Sequence, residues 1–243
     1  MNEADLFAQQ RAQAVRELAD DSELRDLSLR WMIAADQHKY SYNFSWLGRP
    51  IIKLPGDIVV MQEMIWQTKP DLIIETGIAH GGSLIFSASI LELIGHGEVL
   101  GIDIDIRSHN RAAIENHKMS NRIQMIQGSS TDPEVVEKVA GIARDKKKVL
   151  VVLDSLHTHK HVLDELRIYS QFVSVGSYLV LPDTFIEHFP KGYFRDRPWD
   201  VGDNPMTAMR EFLVENDCFE IDQSISGKAL ISEAIDGYLI RVK

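Results

Sequence analysis

Short apolar runs alternate with segments of helical periodicity along most of the chain. Runs without polar alternation are typical of parallel strands that are covered on both faces. They predict strands at Leu72–Glu75, Val99–Asp103, Ile123–Gln127, Val149–Leu153 and Ser177–Leu181. The intervening segments predict helices at Ser83–Leu93, Arg111–Lys118, Pro133–Ala143, His161–Phe172 and Pro205–Asn216. Strand–helix alternation indicates right-handed crossovers and an α/β fold with a mostly parallel sheet.

The two ends of the chain differ from this middle part. Residues 4–37 predict one or two amphipathic helices, and the aromatic segment Tyr40–Pro50 predicts a structured loop. Asp57 is the predicted N-cap of a helix that reaches about Gln67. Two further strands are predicted in the tail, at Phe219–Ile225 and Gly237–Val242. We therefore predict a single domain over residues 1–243, with an N-terminal helical and aromatic extension (1–56) before a Rossmann-like core (57–243).

Composition narrows the class of protein. A net charge of −10 argues against non-specific nucleic-acid binding, which needs a basic surface. The single cysteine, Cys218, excludes an intrachain disulfide and favours a reducing compartment. The segment Met1–Asp5 is too acidic and polar for a signal peptide, and no apolar run approaches the roughly 20 residues of a membrane span. The sequence predicts a cytoplasmic protein.

A glycine-rich turn follows the first predicted strand, in the stretch Leu72–Ser83. Glu75 ends the strand, and Gly77, Gly81 and Gly82 allow the backbone to turn sharply and approach a ligand. The spacing is neither that of a phosphate loop nor that of a dinucleotide fingerprint. An acid before such a loop suits a ligand with an ammonium group, such as S-adenosylmethionine. The alternative is a turn that only packs a helix tightly on a strand.

Polar residues also follow the second and third strands. Asp103 is placed to accept hydrogen bonds from the hydroxyls of a ribose, or alternatively to cap the next turn. Ser129 and Ser130 are candidates for contact with an adenine edge. In the alternative interpretation Thr131 or Asp132 caps the following helix, and the serines only fill a turn.

The fourth and fifth strands deliver acids to the same edge of the sheet. Asp154 and Asp183 together predict an oxygen-rich site suited to magnesium. His157 is the predicted general base because it follows Asp154 closely. His159 and His161 raise the alternative of zinc, but the spacing disfavours it, and we expect both on a helix surface.

A long connection, residues 185–204, follows Asp183. Connections of this length are usually binding lids or disordered. Its aromatic residues argue against disorder and predict a loop that covers the substrate. They are Phe189, Tyr193, Phe194 and Trp199.

The chain resembles the cephalosporin hydroxylase/rhamnosyl O-methyltransferase family, a branch of the class I S-adenosylmethionine-dependent methyltransferases. The resemblance runs from about Tyr40 to the C-terminus. The stretches that carry it are Tyr42–Ile52, Ile74–Ser83, Asp154–His157, His159, His161–Leu163, Gly176–Val180, Asp183–Thr184, Asp196–Trp199 and Asn204–Pro205. It implies a seven-stranded sheet whose last strand is antiparallel, with S-adenosylmethionine at the loop after the first strand.

The resemblance also implies a magnesium ion near the fourth and fifth strand ends, with Asp154 and Asp183 as ligands and His157 as base. Some relatives carry an acid immediately before the position of Asp183, where this chain has Pro182. The candidates to complete the metal shell are Ser155, Thr184, Glu187 or water. The hydroxylase activity is not expected, because the chain shows no convincing iron site of two histidines and one carboxylate.

These patterns together predict a magnesium-dependent O-methyltransferase that acts on a hydroxyl of a sugar, glycoside or related intermediate. The expected cofactor-binding residues are Glu75, Gly77, His80, Gly81, Ser83, Asp103, Ser129, Ser130 and Asp154. His80 either lines the cofactor pocket or caps the turn. The alternatives are an NAD(P)-dependent sugar oxidoreductase and a non-catalytic protein of the same fold. We expect a homo-oligomer without a nucleic-acid partner.

Overall fold

The N-terminal part of the molecule consists of two helices and a hairpin. The computed structural model describes residues 2–243, and Met1 of the predicted acidic N-terminus lies outside them. Helices α1 (Glu3–Asp20) and α2 (Ser22–Asp36) are followed by the antiparallel strands β1 (Phe44–Trp46) and β2 (Arg49–Ile51). The hairpin packs on a core helix, Gly82–Ile94, where the Trp46 indole N–H donates to Ser89 Oγ at 2.9 Å.

A seven-stranded sheet forms the centre of the molecule, in the order β5-β4-β3-β6-β7-β9-β8. Its strands are β3 (Leu72–Thr76), β4 (Glu98–Asp103), β5 (Ile123–Gln127), β6 (Val149–Leu153), β7 (Tyr178–Val180), β8 (Phe219–Ile221) and β9 (Tyr238–Arg241). The helices are α3 (Pro55–Thr68), α4 (Gly82–Ile94), α5 (Ser108–Glu115), α6 (Pro133–Ala143), α7 (His159–Tyr169), α8 (Pro205–Glu215) and α9 (Gln223–Ser226).

Only β9 runs against the other strands, since it pairs antiparallel with both β7 and β8. The central strands β3 and β6 are buried along their whole length, and a separate apolar cluster covers each face of the sheet. This double coverage explains why both strands read as continuous apolar runs. The predicted class I methyltransferase fold, mostly parallel with an antiparallel last strand, is confirmed.

Some local predictions were wrong. Asp57 does not cap α3, because the helix begins at Pro55 and the Asp57 carboxylate turns inward to bond the segment before β9. The predicted strand Phe219–Ile225 ends at Ile221, where the Asp222 side chain accepts from Ser224 N–H and starts the short helix α9. The helix predicted at Arg111–Lys118 lies earlier, at Ser108–Glu115.

The helix predicted at His161–Phe172 begins two residues earlier and ends at Tyr169, where a single 3-10 turn takes over. The predicted strand Ser177–Leu181 is shorter and spans Tyr178–Val180. Across residues 2–243, no helix combines the length and the apolar character that crossing a membrane requires.

Candidate active site

A pocket of about 650 Å³ opens at the carboxyl ends of β3, β6 and β7. Parallel sheets bind ligands at this edge because the loops diverge there. The N-terminal part and the connection after β7 form the opposite wall of the pocket. Six of the predicted site residues line it: Gly77, His80, Ser83, Asp154, His157 and Asp183. The other five predicted cofactor-site residues are not part of its lining: Glu75, Gly81, Asp103, Ser129 and Ser130.

The turn after β3 is held in place by its neighbours on both sides. Gly77 has φ +88°, and a Cβ there would overlap the backbone carbonyl oxygen of Asp154. Asp103 Oδ2 accepts hydrogen bonds from the backbone N–H groups of Ile78 (2.8 Å) and Ala79 (3.3 Å). Asp103 therefore shapes the turn, and the ribose contact stays a prediction for its remaining lone pairs.

Glu75 lies one layer behind the pocket wall. Its side chain is buried and accepts a hydrogen bond from the hydroxyl of Ser83, which does line the pocket. Burial raises the pKa of Glu75 to about 7, although the Ser83 hydrogen bond and the Lys53 ammonium act in the opposite direction. An ionised Glu75 would be stabilised by a cation in the adjoining pocket.

His80 and Gly81 belong to the same turn. The His80 carbonyl oxygen accepts from the Arg49 guanidinium, which also donates to Asn110 Oδ1 at 3.0 Å. Gly81, with φ +81°, is the N-cap of α4 and has no room for a Cβ beside Ile114. Arg49, from the N-terminal hairpin, thus clamps the turn from outside, which the sequence did not reveal.

Asp154, His157 and Asp183 come together as predicted from the strand ends. One ligand atom from each lies within 4.8 Å of the others. His157 Nε2 is 3.5 Å from Asp183 Oδ2. Burial raises the pKa of Asp183, against the opposing charge of His157, and its backbone adopts φ +62°, a conformation that L-residues rarely adopt. Strained backbone of this kind is often found at functional sites.

Two residues of this centre were missed by the sequence analysis. Lys53, from the segment after β2, places Nζ 3.2 Å from Asp154 Oδ2 and 2.7 Å from Glu233 Oε1. Burial alone would lower the pKa of Lys53, but Glu233 and Asp154 outweigh it and hold that pKa above its ordinary value. Neither residue stands in a recognisable motif. The one available signal was a charged residue inside an otherwise apolar stretch, as Lys53 is.

The Asp57 carboxylate holds Glu233 from behind. It accepts hydrogen bonds from the Glu233 backbone N–H at 2.8 Å, the Ser232 hydroxyl at 2.6 Å and the Tyr238 hydroxyl at 2.8 Å. Burial raises the pKa of Asp57, and the three hydrogen bonds lower it. The residue expected as a helix cap instead joins α3 to the strand pair at the far end of the sheet.

The two serines predicted to contact adenine do not line the pocket, and each contacts a neighbouring side chain. The Ser130 hydroxyl lies 3.3 Å from His161 Nε2, and Ser129 Oγ lies 3.1 Å from Thr131 Oγ1. The Asp132 side chain caps α6 by accepting from Glu134 N–H, as the alternative interpretation proposed. An adenine contact by either serine therefore stays a prediction.

His161 does not lie on the helix surface as expected. Its Nε2 is 3.0 Å from Ser155 Oγ, and that hydroxyl donates to the fully buried Glu165 at 2.8 Å. His159 lies on the surface side, with Nε2 3.1 Å from Glu211 and Nδ1 2.9 Å from Thr207. Neither histidine belongs to the cluster of Asp154.

The candidates for completing a metal shell are engaged elsewhere. Glu187 accepts from Gly202 N–H and Asn204 Nδ2, so it organises the connection after β7. Thr184 is fully buried and donates to the Glu233 carbonyl oxygen. Ser155 donates to Glu165. Asp154 and Asp183 remain the carboxylates that the strand ends supply, and Pro182 adds none.

The connection after β7 is packed against the N-terminal part. Phe189 lies buried in an apolar cluster with Met32 and Leu54, and the Tyr193 hydroxyl donates to Asp36 Oδ2 at 2.9 Å. Trp199 meets His157 edge to face at 4.7 Å, with the Arg197 guanidinium 5.4 Å from its ring centre. The connection therefore lines the pocket directly above the predicted base.

The sheet order, the turn after β3 and the acids at the β6 and β7 ends define a class I methyltransferase fold. The profile of the rhamnosyl O-methyltransferase/CmcI family matches residues 38–242. A rhamnosyl O-methyltransferase from Mycobacterium tuberculosis is 30% identical over 221 residues, covering 86% of this chain and 85% of that protein. One from Mycobacterium leprae is 31% identical over 218 residues, covering 86% and 90% respectively. The chain belongs to the rhamnosyl O-methyltransferase/CmcI family.

Solved structures agree on the fold. A CmcI structure described as carrying Mg and SAM has a TM-score of 0.60 at 21% identity, covering 83% of this chain and 78% of that one. An apo structure of CmcI has the same TM-score and identity and covers 83% and 77%. Both the family prediction and the prediction of an O-methyltransferase are confirmed.

Proposed function

We propose that this protein transfers a methyl group from S-adenosylmethionine to a sugar hydroxyl, with a magnesium ion at Asp154 and Asp183. The observation that carries the proposal is the cluster of carboxylates around Lys53 and His157, at the strand-end side of the pocket. Asp57, Glu75 and Glu233 are buried, and Asp154 and Asp183 are partly buried, beside one lysine and one histidine. Buried carboxylates need positive partners, and a sulfonium ligand together with a divalent cation would supply them.

The donor set fits magnesium. Two carboxylates within reach of one another supply the hard oxygen ligands that magnesium prefers, with water and substrate oxygens completing an octahedron. His157 is a poor ligand for this ion, which leaves it available as a base. The related CmcI and its complex with Mg and SAM support the assignment.

The cofactor would lie along the turn after β3. Gly77 permits a close approach of the backbone, Asp103 would accept hydrogen bonds from the ribose hydroxyls, and an ionised Glu75 behind Ser83 would attract the ammonium group. When bound, S-adenosylmethionine supplies the methyl group for a single displacement, and magnesium acidifies and orients the acceptor hydroxyl.

His157 completes the reaction as general base. Its Nε2 takes the hydroxyl proton, and the Asp183 carboxylate 3.5 Å away stabilises the resulting imidazolium. Trp199 fixes the imidazole ring edge to face from the other side. The packed connection after β7 limits the access of water to this corner of the pocket.

Aromatic side chains in the pocket favour a sugar as acceptor. Trp31, Tyr40, Tyr42 and Trp199 line it on the side opposite the sheet. Such rings present flat apolar faces with polar edges, which suit the C–H faces and hydroxyls of a glycoside. The rhamnosyl O-methyltransferases among the relatives point to the same class of acceptor. The homo-oligomer stays a prediction.

The substitution Asp154→Ala tests the proposal. We expect magnesium-dependent methyl transfer from labelled S-adenosylmethionine to methyl α-L-rhamnoside to be lost, with S-adenosylhomocysteine binding retained in calorimetry. Asp164→Ala is a matched control, because Asp164 pairs with Lys160 on the surface of α7. Loss of S-adenosylhomocysteine binding would place Asp154 in the cofactor site. Stabilisation against heat by NAD instead of S-adenosylhomocysteine would favour the oxidoreductase alternative.

A further inference from the structure

The Lys53 ammonium contacts a proposed magnesium ligand, and the metal site alone does not explain this contact. Lys53 Nζ lies 3.2 Å from Asp154 Oδ2, and its side chain is 8% exposed. A fixed cation there repels a divalent ion and engages an oxygen that the ion would use. Lys53 therefore competes with the metal ion for the Asp154 carboxylate.

Glu233 lies on the other side of the same ammonium. Its Oε1 is 2.7 Å from Lys53 Nζ, closer than Asp154 is. The backbone of Glu233 is held by Asp57, which also binds Ser232 and Tyr238. Glu233 is therefore held in place from its own side, and the Lys53 ammonium lies between two carboxylates.

We propose that Lys53 is an internal counter-cation of the metal centre and that Glu233 neutralises it, keeping Asp154 available for magnesium. The inference rests on the proposed function, because it takes Asp154 as a metal ligand. Pro182 leaves two carboxylates in the pair of Asp154 and Asp183, and an unopposed Lys53 would cancel one of them. Glu233 is thus a positioning residue that acts through Lys53.

The two single variants should change the magnesium affinity in opposite directions, because they remove charges of opposite sign. Glu233→Gln leaves Lys53 with Asp154 as its main anionic partner, so magnesium binding should weaken at least about tenfold. Lys53→Met leaves an additional negative charge beside the centre, so magnesium binding should tighten by about the same factor. In the double variant both charges are gone, and the affinity should return to within about threefold of the original.

The experiment is calorimetric titration of magnesium chloride into the full chain saturated with S-adenosylhomocysteine. Lys146→Met is the matched control, because Lys146 pairs with Glu98 at the opposite edge of the sheet and should leave magnesium affinity unchanged. Equal magnesium affinity in the original protein and in Lys53→Met would overturn the proposal. So would a double variant that binds magnesium at least about tenfold more weakly than the original protein, since the Glu233→Gln defect would then not depend on Lys53 and Glu233 would be a direct ligand.

Lys53→Met leaves buried acids without their cation, and thermal unfolding will show whether it folds. If it does not fold, the double variant and Glu233→Gln decide the question: the proposal requires magnesium binding at least about threefold tighter in the double variant than in Glu233→Gln. S-adenosylhomocysteine binding separates this inference from the proposed function. Its absence in the original protein refutes the function, whereas its presence with charge-insensitive magnesium binding refutes only the role of Lys53. If none of the variants binds magnesium, both the role of Lys53 and the metal site are refuted.

Discussion

The two sides of the pocket are built on different principles. On the cofactor side, Gly77 and Asp103 fix the turn after β3 through backbone geometry and backbone hydrogen bonds. On the acid side, Lys53, Asp154 and Glu233 are held together by charge, although Lys53 and Glu233 are 180 residues apart in the chain. A backbone substitution should therefore disrupt the first side, and a change in charge the second.

Gly77→Ala should have the largest effect, because Gly77 joins the two sides. Its φ of +88° disfavours any side chain, and a Cβ would overlap the Asp154 carbonyl oxygen. We expect the free energy of unfolding to fall by about 3 kcal/mol or more, with loss of S-adenosylhomocysteine binding. Urea unfolding and calorimetry measure the two effects.

Gly176→Ala separates the cost of a positive φ from the cost of steric overlap. Gly176 has φ +76° but open space around its Cβ position, so only the backbone cost of about 1 kcal/mol applies. Equal losses of unfolding free energy in Gly77→Ala and Gly176→Ala would show that the close approach to Asp154 does not matter.

The pH dependence of cofactor binding should be the next largest effect. The pKa of Glu75 in the folded protein is raised from 4.5 to about 7, chiefly by burial. The folded state therefore binds more protons than the unfolded state between these values. Consequently, the contribution of Glu75 to stability falls as pH rises through this window.

A ligand with an ammonium group favours the ionised carboxylate. We therefore expect calorimetry to show S-adenosylhomocysteine binding about tenfold tighter at pH 8 than at pH 6. Glu75→Gln should lose this dependence, and His157→Gln should keep it. A dependence that follows His157 instead would assign the titration to the acid side.

Sequence reasoning succeeded where function lies at strand ends. Asp154 and Asp183 each follow a buried strand, and parallel strands bring their carboxyl ends to one edge, so their meeting was predictable. Gly77 was predictable for the same reason, since it follows β3 directly.

The residues that the sequence analysis missed come from segments other than the strand ends. Lys53 enters the centre from a loop before α3, and Glu233 enters from the segment before β9, so only the packing of the complete sheet brings them together. Asp57 was predicted to be a helix cap, but its carboxylate instead accepts tertiary hydrogen bonds from the segment around Ser232. Local patterns do not encode such long-range charge pairing.

The smallest effect should come from Trp199, which belongs to neither side but lies above His157 on the acceptor wall. Trp199→Leu removes an aromatic contact worth about 0.5–1.5 kcal/mol, so the KM for methyl α-L-rhamnoside should rise by about three- to tenfold. S-adenosylhomocysteine affinity and thermal stability should hardly change, because the ring is partly exposed. Trp66→Leu on the outer surface of α3 is the control and should leave KM unaltered. A fall in S-adenosylhomocysteine affinity in Trp199→Leu would instead move this residue to the cofactor side, and the acceptor wall would have to be sought elsewhere in the pocket.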